Sequence, residues 1–182
     1  MKLEKILVPL DGSLLAESAL GTAAELARVS GARLLLLRAA QAHTLPGADP
    51  TDAEIRVVEE AEAYLARVKA RLGAGGLENV STSVWYGPAA SCIVEATQFN
   101  RPDLIVMTTH GRGGLGRLIL GSVAESVLRG TTTPILVVRD GQAPLEIPAG
   151  REQARPWVGT TPDPGQPLPA GVAPAEHGRT GP

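Results

Sequence analysis

In this chain of 182 residues, the types and spacing that could do chemistry fall in one stretch, MTTHGRGGLGRLILGSVAESVLRG, residues 107–130. It carries five glycines from Gly111 to Gly121. A glycine has no Cβ, so its backbone N–H can come close to an anion, and it adopts conformations that other residues avoid. Around these glycines stand His110, Arg112, Arg117 and Ser122: a potential base, two cations and a hydroxyl donor. Far upstream, Asp11 closes the apolar run Ile6-Leu-Val-Pro-Leu10 and could accept hydrogen bonds from a ligand. The chemistry these residues suggest is the grip of a phosphate or another small anion.

Such a grip needs a scaffold, and the flanking sequence supplies one. Asp103-Leu-Ile-Val-Met107 is short, partly β-branched and uncharged after its first residue, as expected of a strand buried on both faces. Leu118-Ile-Leu and Val123 to Leu128 have helical spacing, which predicts a helix over 117–129 with Gly130 to end it. The glycines therefore lie between a strand and a helix, at the carboxyl end of the strand. Helix amino termini offer free N–H groups to anions at that place.

The rest of the chain alternates in the same way. Lys5–Pro9 reads as a first strand, followed by a helix from the cap Ser13 to Val29, stopped by Gly31. Arg33–Arg38 is the second strand, and residues 40–50 form a loop with two prolines. Thr51-Asp-Ala-Glu54 has the capping-box pattern before a long helix to Leu72, ended by Gly73-Ala-Gly-Gly76. Val80–Tyr86 is the third strand, with Pro88 at the first position of a helix over 89–98. Asp103–Thr108 is the fourth strand and Pro134–Val138 the fifth. This order predicts an α/β fold, a single five-stranded parallel sheet with helices on both faces and right-handed crossovers.

Composition narrows the function classes. With 43% hydrophobic and 20% charged residues the chain can bury one ordinary core. A net charge of −2 and a pI near 5.9 give no basic field for nucleic acid. No run approaches the roughly 20 apolar residues of a membrane helix, and no signal peptide is evident. The single cysteine, Cys92, excludes an intrachain disulfide and suits a cytoplasmic protein. After Asp140 the character changes: residues 141–182 hold nine prolines and seven glycines with no apolar periodicity. The expected organisation is a domain over 1–140 and a Pro/Gly-rich, disordered tail over 141–182.

Two phosphate motifs can be set aside. Gly111-Arg-Gly-Gly-Leu-Gly116 matches G-x-G-x-x-G, yet a dinucleotide domain carries that unit at its start and builds further strands after it. No G-x-x-x-x-G-K-[ST] exists, and Lys2, Lys5 and Lys69 all lie elsewhere. A wider pattern fits better: His110-Gly111, nine residues, then Gly121-Ser122, with Val8-Pro-Leu-Asp11 upstream. With ILVPLDGS, THGRGGLGRLILGSVAE and PILVV, residues 3–139 resemble the universal stress protein (UspA-like) family, whose ATP-binding branch carries G-x2-G-x9-G-[ST] after the fourth strand. Thr108 stands where that branch has its first glycine, and a side chain there narrows the space for phosphate.

The resemblance implies a Rossmann-like, adenine-nucleotide-binding fold and gives each residue a part. Pro9, Leu10 and Asp11 would flank adenine and ribose, Ala39 would be another neighbour of adenine, Gly111, Arg112, Gly121, Ser122 and Val123 would surround ribose and phosphates, and Met107 and His110 are counted among the binding residues. The cofactor implied is ATP, with or without Mg2+, bound by a stress-response regulator that acts on another protein. A homodimer joined through the last strand is implied as well. A scaffold of the same fold that binds no nucleotide is the alternative, favoured by Thr108; a slow ATP hydrolase is the third. No in-line general base is evident, no catalytic residue or protein metal ligand is assigned, and the protein is read as not an enzyme. Plainer roles stand beside these: Asp11 capping the first helix, His110 bonding a loop, Cys92 as a small hydrophobe, and Leu118, Leu120 and Val127 in the core.

Overall fold

The computed structural model describes residues 2–42, 50–109 and 121–139. The strands are β1 (Lys5–Pro9), β2 (Arg33–Ala40), β3 (Val80–Tyr86), β4 (Leu104–Thr109) and β5 (Ile135–Arg139). The helices are α1 (Leu14–Glu17), α2 (Ala19–Ser30), α3 (Pro50–Ala74), α4 (Ala89–Asn100) and α5 (Ser122–Gly130). The five strands form one sheet in the order β3-β2-β1-β4-β5, and every pairing is parallel. The fold class read from the sequence is the one observed.

Alternation along the strands builds two cores. Ile6, Val8, Leu34, Leu36 and Val106 face α2 and α3, where Ala23, Ala24, Ala27, Leu65 and Val68 meet them. Leu7, Leu35, Leu37, Ile105 and Met107 face α4 and α5, against Ile93, Ala96, Ala124 and Val127. Strands covered on both faces are apolar through their buried middles, which is why residues 6–8 of β1, 34–37 of β2 and 105–107 of β4 read as unbroken runs. The two helices of the second face also crowd each other. A Cβ on Gly130 would fall 2.6 Å from a methyl of Val94, so the end of α5 lies on α4 only because that position lacks a side chain.

Where chain order reverses, between β1 and β4, the pairing is short. The register covers only Ile6 with Leu104 and Leu7 with Ile105, whereas β1 pairs with β2 over five residues. Asp103 fastens the amino end of this seam: its Oδ2 accepts from the N–H groups of Glu4 at 2.8 Å and Lys5 at 2.9 Å, and its own N–H donates to the carbonyl of Lys5 at 2.9 Å. These bonds hold the Asp103 carboxyl below its ordinary pKa.

Several local expectations need correction. The first helix is broken at Ser18, whose hydroxyl donates to the carbonyl of Leu15 at 2.7 Å and competes with the regular ladder. Pro50 is already helical, so Thr51 lies inside the first turn of α3 and does not precede it. Pro88 is the residue before α4, with φ −60° and ψ 133°, and not its first helical residue. β2 extends to Ala40 and α4 to Asn100, two residues beyond the expected ends of each. The tail over 141–182 lies outside the described residues.

Candidate functional site

In an open α/β sheet the crevice forms where strand order reverses, outside the carboxyl ends of the strands. Here it opens between β1 and β4, whose pairing stops short of those ends. A cleft of about 770 Å³, counting its open mouth, occupies that place. Pro9, Leu10, Asp11, Ala39, Met107, Gly121, Ser122 and Val123, all singled out in the sequence, line it. The other three predicted site residues, His110, Gly111 and Arg112, lie outside the described residues, as do Arg117, Leu118 and Leu120.

Asp11 follows β1 directly and shapes the turn into α1. Its Oδ1 accepts from the N–H of Ser13 at 2.8 Å, and the hydroxyl of Ser13 in turn accepts from Ala16 N–H at 3.0 Å as the helix cap. The capping role is therefore Ser13's, while Asp11 holds the turn with one oxygen. Its Oδ2 has no hydrogen bond to any described residue, and a carboxylate oxygen so placed can accept from a hydroxyl. Leu10 is pinned beside it, its N–H donating to the carbonyl of Leu37 at 2.8 Å across to β2.

On the other side of the cleft Gly121 precedes α5 at φ 70° and ψ 143°, a region almost closed to residues with a Cβ. This corrects the expected helix over 117–129: Gly121 is outside the helix, because its conformation breaks the continuity that the Leu118-Ile-Leu periodicity suggested. The first helical bond runs from Glu125 N–H to the carbonyl of Gly121, at 2.9 Å, and no side chain caps the terminus. The N–H groups of Ser122, Val123 and Ala124 thus start a helix without an intrahelical partner, and all three residues line the cleft. With the helix dipole behind them they form a place for negative charge.

Between these two polar ends the walls are apolar. Leu37 and Ala39 come from β2, Met107 from β4, and Ala89 and Ile93 from α4. They suit a flat, uncharged ring, as small-molecule sites commonly do. Leu37, Ala89 and Ile93, with Leu15 and Ala16 of α1, are lining residues that sequence reasoning missed. Each is an ordinary apolar residue of a strand or helix, and only the tertiary arrangement brings it to the cleft. Thr108 lines the cleft too, at the position singled out for its side chain. Cys92 is buried in α4, where burial first and Glu95 second push its thiol upward in pKa, as fits a small hydrophobe.

Comparison with known proteins gives a consistent result. The family model of the universal stress protein family matches residues 2–139. A universal stress protein of Methanocaldococcus jannaschii is 32% identical over 141 residues, covering 75% of this chain and 82% of its own length. Among solved structures, a universal stress protein family member from Burkholderia pseudomallei superposes with a TM-score of 0.62 at 31% identity, covering 75% of this chain and 96% of that one. A universal stress protein solved in complex with cAMP superposes with a TM-score of 0.61 at 23% identity, over 76% of this chain and 98% of that one.

Proposed function

This chain belongs to the universal stress protein family, and from that premise we propose that it binds ATP in the cleft between β1 and β4 and acts as a nucleotide-dependent regulatory module. The observation that carries this reading is the uncapped start of α5, three unpartnered N–H groups in the wall of a cleft with apolar sides. Phosphates would meet Ser122, Val123 and Ala124, the base would lie against Leu37, Ala39 and Met107, and Asp11 would accept from ribose through its free oxygen. The cAMP held by a protein of the same fold supports the ligand class at the level of fold. ATP brings a chain of negative charge, with or without Mg2+, that this terminus can stabilise.

The reading is of a binding protein and not an enzyme, working in the cytoplasm on a protein partner. It is taken not to act on nucleic acid or membrane: the net charge is −2, and among the described residues no helix is long and apolar enough to cross a bilayer. Titration calorimetry with the purified chain should give micromolar affinity for ATP and weaker binding of NAD. A chain that gives no heat with ATP up to millimolar concentration belongs to the second reading, a scaffold without nucleotide. Thr108 is the residue that favours that alternative.

The same reading includes a homodimer. Among the described residues β5 is an outer strand of the sheet, with Leu136 37% exposed, and an outer strand is a ready template for pairing with another chain. Pairing β5 with its copy removes two edges at once. Light scattering at high micromolar concentration should return the mass of a dimer; a monomer there refutes the pairing.

A further inference from the structure

One wall of the cleft is held from a distance. Leu15 and Ala16 form it, and they belong to α1, a helix of four residues. A single helical turn is not stable by itself, so its orientation depends on what holds it: Ser18, itself in right-handed helical conformation, joins it to α2, and Glu17 joins it to α3. At its carboxyl end Glu17 is gripped by α3: Tyr64 O–H donates to its Oε1 at 2.9 Å, and Arg71 donates to its Oε2 at 2.5 Å. Burial raises the Glu17 pKa, but the bonds from Arg71 and Tyr64 outweigh it and hold the net value below the ordinary one. The group is therefore a carboxylate at neutral pH.

The amino end of the same segment leads back to the same tyrosine. The guanidinium of Arg38 stacks on the ring of Tyr64, 4.7 Å from its centroid. That guanidinium is also near Gly12, close enough that a Cβ added there would sit 3.5 Å from its nitrogen. Tyr64 is buried, 8% exposed, and is not among the residues that line the cleft. Its ring thus places Arg38 near one end of segment 12–17, and its hydroxyl bonds the other end at Glu17.

We infer that Tyr64 is a positioning residue for the ligand cleft, acting from α3 through Glu17 and Arg38 to hold the α1 wall in its binding position. The inference rests on the proposal that the cleft binds ATP. Both bonds hold Glu17: Arg71 brings the charge from a side chain 60% exposed, and Tyr64 brings a part-buried bond from a residue 8% exposed. Removing the Glu17 carboxylate leaves the part-buried Tyr64 hydroxyl without its acceptor.

The test compares Tyr64→Phe, Glu17→Ala, Glu17→Gln and the double variant Tyr64→Phe with Glu17→Ala, by calorimetry with ATP on protein of unchanged circular dichroism. If the released wall occupies its binding position a tenth of the time, affinity falls about tenfold in Tyr64→Phe and in Glu17→Ala. The double variant should lose no more than the weaker single, because both remove one device. Glu17→Gln still accepts from Tyr64 and should bind within about threefold of the parent. Amide exchange without nucleotide gives a second readout: Glu17 and Ser18 should exchange faster in Tyr64→Phe, with β4 unchanged. Tyr64→Phe that binds ATP as the parent does, or exchanges at parental rates in α1, overturns the inference even if Glu17→Ala fails to fold. A parent that binds no ATP refutes the proposed function, and this inference with it.

Discussion

Replacing Gly121 by valine is expected to abolish ATP binding, lowering affinity by at least about a hundredfold, or more than roughly 2.7 kcal/mol. Two effects act together. The branched side chain would stand at the mouth of the N–H groups that open α5, in the space an anion needs. The backbone there, at φ 70° and ψ 143°, is a glycine region, and a residue with a Cβ costs about 1 to 3 kcal/mol to hold in it. The first turn of α5 would be pulled out of place as well. Ser122→Ala separates the two effects, since it leaves Gly121 and the helix start intact. It removes one hydroxyl donor to a charged acceptor, worth about 1.5 to 3 kcal/mol, or roughly ten- to a hundredfold in affinity. Calorimetry on both variants decides: a folded Gly121→Val protein with parental affinity means that the glycine serves the chain and not a ligand.

Truncating Ile105 to alanine should destabilise the domain by about 2 to 5 kcal/mol. Ile105 has no exposed surface, sits in β4 between Leu7 of β1 and Ile135 of β5, and packs in the core toward α4 and α5. Four neighbouring elements fix the walls of the space it fills, so the cavity left by the lost carbons cannot easily collapse. Urea unfolding should show a lower midpoint at unchanged slope. A loss below about 1 kcal/mol would mean that the second core closes around the gap, contrary to the packing described.

The sheet was legible because burial on two faces makes the middles of β1, β2 and β4 continuous apolar runs. Asp11 and the pair Gly121-Ser122 were legible through the resemblance to the universal stress protein family, in the spacing from His110-Gly111 to Gly121-Ser122 with Val8-Pro-Leu-Asp11 upstream. What could not be read depended on distance or on competition between local bonds. The Ser18 hydroxyl interrupts a helix whose apolar spacing runs on across it. At Gly121 the reverse holds, since periodicity upstream suggested helix where a left-handed φ forbids it. The Tyr64–Glu17 bond spans 47 residues and Arg71–Glu17 spans 54, and neither pair forms a local pattern. Leu37 and Ile93 look like core in sequence and do pack as core, while Ala89 is exposed at the start of α4; only the fold brings the three to the cleft.

The short seam between β1 and β4 divides the sheet into two arms. One carries β1, β2 and β3, the other β4 and β5, and Asp103 ties them at the amino end with its three bonds to Glu4 and Lys5. Past Leu7 and Ile105 no register joins the arms, and β1 runs on for two residues, about 7 Å. The packing continues where the register stops, since the core on each face holds residues of both arms: Val8 and Val106 on one, Leu37 and Met107 on the other. The cleft is thus a break in the hydrogen bonding of the sheet and not a break in its packing.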